Sequence, residues 1–180
     1  MIGLDKVDLQ DALVRLRPYR LEDADAVFEA VAESIPEVGA YETWCHEGYT
    51  LENAAEYVAW WVSSWEKGTA YYFAVHEAGG RYLGSCGLAG IDREHGTAGM
   101  GFWIRTPRTN QGFATAAARL VTEFGNDVLG LARVEVLAAV DNAASRRVAE
   151  KLGARFEGIL RDRFLLRGKR HDGALYALTE

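Results

Sequence analysis

The sequence predicts one α/β domain over residues 1–180, a mixed sheet of about seven strands with helices on both faces. Three observations carry that expectation. Short apolar runs of strand character alternate with longer runs at helical spacing, in the order β-α-α-β-β-β-α-β-α-β-β. Glycines, prolines and polar clusters fall between the runs, where turns belong. A chain of 180 residues with 49% apolar content also suffices for one core, and no repeat or linker divides it.

Residues 13–18 (LVRLRP) alternate apolar and polar side chains, a half-buried first strand that Pro18 ends. Over residues 21–34, Ala24, Val27, Phe28, Val31 and Ala32 recur at helical spacing behind an acidic first turn, and Pro36 with Gly39 stops the helix. The polar-aromatic stretch 35–49 reads as a connection. Thr50 is a good N-cap for a second helix to about Lys67, closed by Gly68. Of its Trp60, Trp61 and Trp65, at least two are expected in the core, and one is a candidate for a substrate pocket. Residues 70–77, 81–91 and 98–104 are three strands joined by the tight turn Ala78-Gly79-Gly80 and the polar loop 92–96. Beyond Gly112 the period turns helical, with Phe113, Ala117, Leu120, Val121, Phe124 and Val128 on one stripe closed by Gly130. Residues 133–140 (RVEVLAAV) form a fifth strand. Asp141 or Asn142 then caps a helix that ends at Leu152, with Gly153 just past it. Residues 156–166 and 170–178 are two strands around the hairpin turn Arg167-Gly168-Lys169.

A formal net charge of −6 argues against a nucleic-acid binder that works by a general positive field. The charge is unevenly spread, with residues 1–67 at net −9 and residues 68–180 at net +3. Either the N-terminal helices have acidic solvated faces, or an acidic half attracts a cationic substrate while a basic half faces an anionic cofactor. No segment has the eighteen or so apolar residues of a membrane span, and residues 1–11 lack a signal-peptide pattern, so a cytoplasmic protein is expected. Cys45 and Cys86 have no metal-ligand spacing and read as reduced thiols, with Cys86 in the core; no metal is expected.

The chemistry is expected in residues 102–153. The loop 105–111 (RTPRTNQ) leads from a strand into a helix that starts at Gly112, where unpaired N–H groups and the helix dipole suit a phosphate. Gly112 permits close backbone approach, Thr115 offers a hydroxyl, and Arg105 and Arg108 offer full charges. Thirty residues on, Asn142 to Gly153 form a second cluster that includes Ser145, Arg147 and Lys151.

Together these two segments resemble the GNAT superfamily of acyl-CoA transferases, and within it the RimJ/RimL-like branch that acetylates protein N-termini. Thr109, Asn110, Gln111, Gly112, Phe113 and Ala114 occupy the family's Q/R-x-x-G-x-G/A pyrophosphate loop, and Asn142 to Gly153 match its N-x-x-S-x-x-V-x-x-K-x-G segment. His171, Asp172 and Tyr176 look like the branch's last strand. The resemblance implies the GNAT fold, a mostly antiparallel sheet whose fourth and fifth strands splay apart. It also implies acetyl-CoA as cosubstrate, with backbone at Phe102, Trp103 and Ile104 pairing the pantetheine arm and polarising the thioester carbonyl. Asn142 would orient that arm. Two departures matter. Thr109 stands where Gln or Arg is usual, so that Arg108 is expected to supply the missing charge. Ala149 stands where many members have a proton-donating tyrosine, which moves the acid role to Ser145, the acid proposed in RimL-like enzymes. Gly99 and Gly101 fit either close ligand approach or plain packing.

Acetylation needs a neutral amine. An α-amine, with pKa about 7.7 to 8.0, needs far less help than a lysine at about 10.4, which favours protein N-termini. Direct attack in a ternary complex is expected, because no cysteine sits in an activated setting and a covalent route through Cys86 is disfavoured. The branch's strand-end glutamate has no counterpart in Ile104-Arg105-Thr106-Pro107, so the base is sought among Glu42, His46, Glu94 and His95, with His171 and Asp172 read as structural. Tyr41, Trp44, His46 and Glu94 are the candidate acceptor contacts on loops 35–49 and 92–96. Acetylation of a small amine and a CoA-binding sensor without catalysis are the rival functions. A nucleotide-binding domain is disfavoured, since no G-x-G-x-x-G or G-x-x-x-x-G-K-[ST] loop is present. The last strands are a candidate homodimer interface.

Overall fold

A computed structural model describes residues 2–4 and 7–179 of the chain. Its strands are β1 (Leu9–Gln10), β2 (Val14–Pro18), β3 (Ala70–Glu77), β4 (Tyr82–Asp92), β5 (Thr97–Ile104), β6 (Arg133–Ala139), β7 (Arg155–Leu166) and β8 (Lys169–Thr179). The helices are α1 (Ala24–Ala32), α2 (Ile35–Val38), α3 (Leu51–Lys67), α4 (Phe113–Leu129) and α5 (Ala143–Lys151). All seven expected strands are present within one or two residues of their predicted ends. The sequence reading lacks β1, too short for a periodic signal, and α2, which Pro36 starts rather than prevents: with Pro in its first turn, the missing N–H is one the helix would not have used.

The eight strands form one sheet in the order β1-β2-β3-β4-β5-β6-β8-β7, and every neighbour pair is antiparallel except β5 with β6. Strand alternation divides the side chains between two layers. Phe73, Cys86, Leu88, Met100 and Ile104 join Ala117, Val121 and Phe124 of α4 in one buried cluster. On the other face Ala74 and Trp103 join Val27 and Val31 of α1 and Ala54 and Val58 of α3.

Local chemistry sets the helix ends. Thr50 accepts from the Asn53 N–H at 3.2 Å and Asn53 Oδ1 accepts from the Thr50 N–H at 3.0 Å, a reciprocal cap on α3 that contributes about 1 kcal/mol. Gly68 and Gly130 close α3 and α4 with φ of 67° and 69°, conformations that a Cβ disfavours. As expected, two of the three α3 tryptophans, Trp61 and Trp65, four residues apart, share the inward face, while Trp60 is 67% exposed. One side-chain expectation is corrected: Val128 is exposed, on the last turn of α4 beyond the edge of the sheet contact. No helix among the described residues is long and apolar enough to cross a membrane.

Candidate active site

The parallel pairing of β5 with β6 runs only from Thr97↔Arg133 to Met100↔Val136. Beyond it, Leu137, Ala138 and Ala139 pair with β8 alone, and residues 101–104 present an unpaired edge to the gap. The expected splay of the fourth and fifth strands is thus a property of this sheet. The Arg105 N–H donates to the Leu83 carbonyl at 2.7 Å, which makes 105 and 83 a hydrogen-bonded pair. By antiparallel alternation the N–H groups of Phe102 and Ile104 then face the gap, whereas that of Trp103 faces β4. The indole of Trp103 packs in the opposite layer and donates to Tyr57 Oη at 3.2 Å. Gly101 is explained by packing: a Cβ there would stand 2.2 Å from the Tyr72 hydroxyl.

At one end of the gap lies the loop into α4. A short 3-10 turn, Thr106–Arg108, and the left-handed Asn110 and Gly112 (φ 62° and 87°) deliver the chain to the helix start. The first intrahelical bond is from Ala116 N–H to the Gly112 carbonyl, and no side chain caps the helix. Phe113, Ala114 and Thr115 therefore keep N–H groups that a phosphate can take.

The two arginines of this loop depart from expectation. Arg105 is 2% exposed and grips Glu29 at 2.7 Å, Glu33 at 2.9 Å and the Tyr82 carbonyl at 3.0 Å, fastening the end of β5 to α1. Burial disfavours its charge, and the two carboxylates more than restore it. Arg108 donates to Glu77 Oε2 at 2.5 Å, while its buried Nε has no partner among the described residues. Neither guanidinium is an uncompensated charge for the loop, whose free donors are main-chain N–H groups. Thr109, whose hydroxyl donates to the Thr106 carbonyl, and Gln111 are exposed at its rim.

The second motif forms the other wall. Asn142 caps α5, its Oδ1 accepting from the Ser145 N–H at 3.1 Å. Ser145 is half-buried and lines the gap, while Ala149, one turn on, is fully buried. Arg147 and Lys151, also one turn apart, are exposed and have no ion pair among the described residues. His171 pairs with Asp141 at 3.2 Å, and Asp172 accepts from the Asp162 N–H at 2.9 Å. Each has a partner within the fold.

The stretch 35–49 closes the cleft. Tyr41 donates to the Asp141 carbonyl at 3.2 Å and lines the cleft with Glu42, Gly101, Phe102, Asn142 and Ser145. Trp44 donates to Glu42 Oε2 at 3.0 Å and packs on Tyr57 and Trp103. His46, Glu94 and His95 are corrections. His46 is exposed and turned to the Glu47 carbonyl. Glu94 and His95 belong to a turn organised by Asp92, at the far end of β5. From Thr97 to Phe102 the strand spans roughly 16 Å. Phe164 and Leu166 of β7 also line the cleft and escape sequence reasoning. The β7–β8 hairpin reaches it because Arg167 donates to the Gly39 carbonyl at 2.9 Å, a contact 128 residues long with no local signal. Both cysteines are buried, with burial pushing the Cys45 thiol up to about 11 and Cys86 higher still, so neither supplies a thiolate near neutral pH.

A phosphate-ready helix start opening into a split between parallel strands fits a transferase that draws its group from an acylated, phosphate-bearing carrier. The family model described as "Acetyltransferase (GNAT) domain" matches residues 14–155. The chain belongs to this family, on its RimJ/RimL-like branch, and is an acetyl-CoA-dependent N-acetyltransferase. It is 30% identical over 171 residues to "Putative ribosomal N-acetyltransferase YdaF" of Bacillus subtilis (strain 168), covering 93% of this chain and 91% of the other. Two solved structures share the fold. RimL, the ribosomal L7/L12 alpha-N-protein acetyltransferase in complex with coenzyme A, has a TM-score of 0.88 at 19% identity, covering 96% and 98% of the two chains. The Microcin C7 self immunity acetyltransferase MccE, in complex with acetyl-CoA and AMP, has 0.88 at 18%, covering 94% of each.

Proposed function

We propose that the chain acetylates the α-amine of a protein or peptide N-terminus, by direct attack on acetyl-CoA in a ternary complex. The observation that carries this reading is one cleft with two differently built walls. The uncapped N–H groups of Phe113, Ala114 and Thr115 receive the pyrophosphate, and Arg147 and Lys151 lie on the outer face of α5 for the remaining phosphate charge. The open edge at Phe102 and Ile104 pairs the pantetheine amides and polarises the thioester carbonyl, a contact that stabilises the transition state by a few kcal/mol. Tyr41, Glu42, Phe164 and Leu166 leave the opposite side for the acceptor.

In this mechanism the amine nitrogen attacks the carbonyl carbon and the carbon–sulfur bond breaks. Ser145 gives its hydroxyl proton to the departing sulfur and takes back the one that the nitrogen loses, so no net charge remains on the serine. An α-amine is favoured because on the order of a tenth of it is already neutral near pH 7. Both the name of the Bacillus relative and that of the RimL neighbour point to ribosomal-protein substrates. The same reading puts the protein in the cytoplasm and a homodimer contact along β7, whose Phe156, Ile159, Leu160 and Leu165 are exposed.

Release of CoA thiol from acetyl-CoA, followed against panels of N-terminal peptides, lysine peptides and small amines, tests the proposal. Steady turnover with N-terminal peptides alone is the expected result. Turnover confined to small amines refutes the acceptor assignment, and binding of acetyl-CoA without turnover on any panel leaves only a sensor.

A further inference from the structure

Among the described residues that line the cleft, Glu42 is the only carboxylate. It shares that cleft with Ser145 and with Gly101 and Phe102 of the open β5 edge. The neighbouring acids of this layer are committed elsewhere: Glu29 and Glu33 hold Arg105, and Glu37 accepts from the Thr106 hydroxyl at 3.0 Å. Glu42 has no ion pair among the described residues. Its Oε2 accepts from Trp44 Nε1 at 3.0 Å, and the Trp44 ring is itself wedged between Tyr57 at 5.1 Å and Trp103 at 5.5 Å. One carboxylate oxygen is thus fixed on a rigid aromatic platform, and Oε1 has no hydrogen-bond partner among the described residues.

We infer that Glu42 is the general base of the transfer and the anchor for the incoming ammonium. The inference rests on acetyl transfer to an amine, whichever amine that is. The acceptor arrives as R–NH3+ and pairs with Oε1. One proton passes to the carboxylate, which leaves R–NH2 with its lone pair for the thioester carbon, and the carboxylic acid returns that proton to solvent after the amide departs. Burial raises the Glu42 carboxyl above its ordinary range and the Trp44 N–H partly offsets this, a poise that suits a base. The Glu42 side chain is exposed to solvent while it lines the cleft.

The titratable groups that face Glu42 do not compete for the proton. Tyr41 and Cys45 lie on its own segment, and Tyr72 approaches from β3; burial shifts all three upward, so that they are neutral near pH 7. Arg167, from the β7–β8 hairpin, is turned onto the Gly39 carbonyl. His46 faces the Glu47 carbonyl.

The test is the pH profile of kcat/KM for the full chain and two variants, run with acetyl-CoA and whichever panel amine turns over best. In the unmodified protein the rate should fall, as pH drops, along a limb above the ordinary glutamate value of about 4.3. Glu42→Gln should remove that limb and lower kcat/KM at neutral pH at least about tenfold, with the acetyl-CoA Kd by calorimetry changed less than about twofold. Trp44→Phe keeps a ring but loses the donor that favours the carboxylate, so its limb should move to higher pH. An unchanged rate and limb in Glu42→Gln would overturn the assignment of the base, as would an unmoved limb in Trp44→Phe. Turnover of small amines alone refutes the N-terminal acceptor while leaving the Glu42 comparison to be read on those amines. Binding of acetyl-CoA with no turnover at all overturns both.

Discussion

The two walls of the cleft are made in opposite ways. The proposed cofactor wall comes from two short continuous segments, the loop 105–115 and the first turn of α5, and the groups it offers are mostly main-chain N–H. The proposed acceptor wall is assembled from side chains of Tyr41, Glu42, Phe164 and Leu166, held together by contacts such as Arg167 with Gly39 and Arg105 with Glu29 and Glu33. A backbone site tolerates side-chain change as long as the dihedral angles survive. A side-chain site does not, and it is the one that can be retuned for a new acceptor without disturbing acetyl-CoA.

Gly112→Val strikes the first wall hardest. Gly112 has φ of 87°, which a β-branched residue cannot adopt without strain, so the loop should move and acetyl-CoA affinity fall by about a hundredfold or more. Calorimetry on a variant with unaltered circular dichroism checks it, and retained affinity would refute the proposed phosphate loop. Arg105→Ala attacks the frame that joins the walls. It removes a buried cation that serves two carboxylates and a carbonyl, and should destabilise the fold by about 2 kcal/mol. Those carboxylates become partly solvated, which keeps the loss below that of a fully buried orphan charge. Denaturant midpoints measure it.

Ser145→Ala should reduce kcat at least about tenfold with the acetyl-CoA Kd almost unchanged, because the hydroxyl acts on the departing sulfur rather than in binding. A kcat equal to that of the unmodified chain would take Ser145 out of the mechanism. Phe164→Ala, on the acceptor wall alone, should raise the acceptor KM about fivefold without changing acetyl-CoA affinity, and a loss shared by both substrates would mean that the walls are not separable. The smallest effect is expected of Arg108→Ala. Its charge is already committed to Glu77, so acetyl-CoA Kd should move less than about threefold, and a larger change would return Arg108 to the phosphate site.

Legibility in the sequence follows the same division. Period-two and period-3.6 patterns located seven strands and four of the five helices, and the caps Thr50 and Asn142 and the closing glycines Gly68 and Gly130 stand where the sequence puts them. The loop into α4 and the Asn142–Ser145 pair were equally legible, because each is a motif whose parts lie within about a turn of one another. Arg105 and Arg108 were misread for a reason of the opposite kind: sequence proximity to the phosphate loop says nothing of Glu29, Glu33 or Glu77, which the fold brings from 31 to 76 residues away.

By itself, then, the sequence determined what depends on neighbours along the chain: element types, helix ends, the backbone phosphate loop and the family. Tertiary structure alone decided which side chains share the cleft. It stopped the β5–β6 pairing at Met100, carried Phe164 and Leu166 across on the hairpin tip, set Glu42 against Trp44 and left Glu94 and His95 at the wrong end of the strand. The physical reason is that a wall built from segments far apart in the chain is fixed by long-range packing and ion pairs, and their partners leave no periodic trace in the chain.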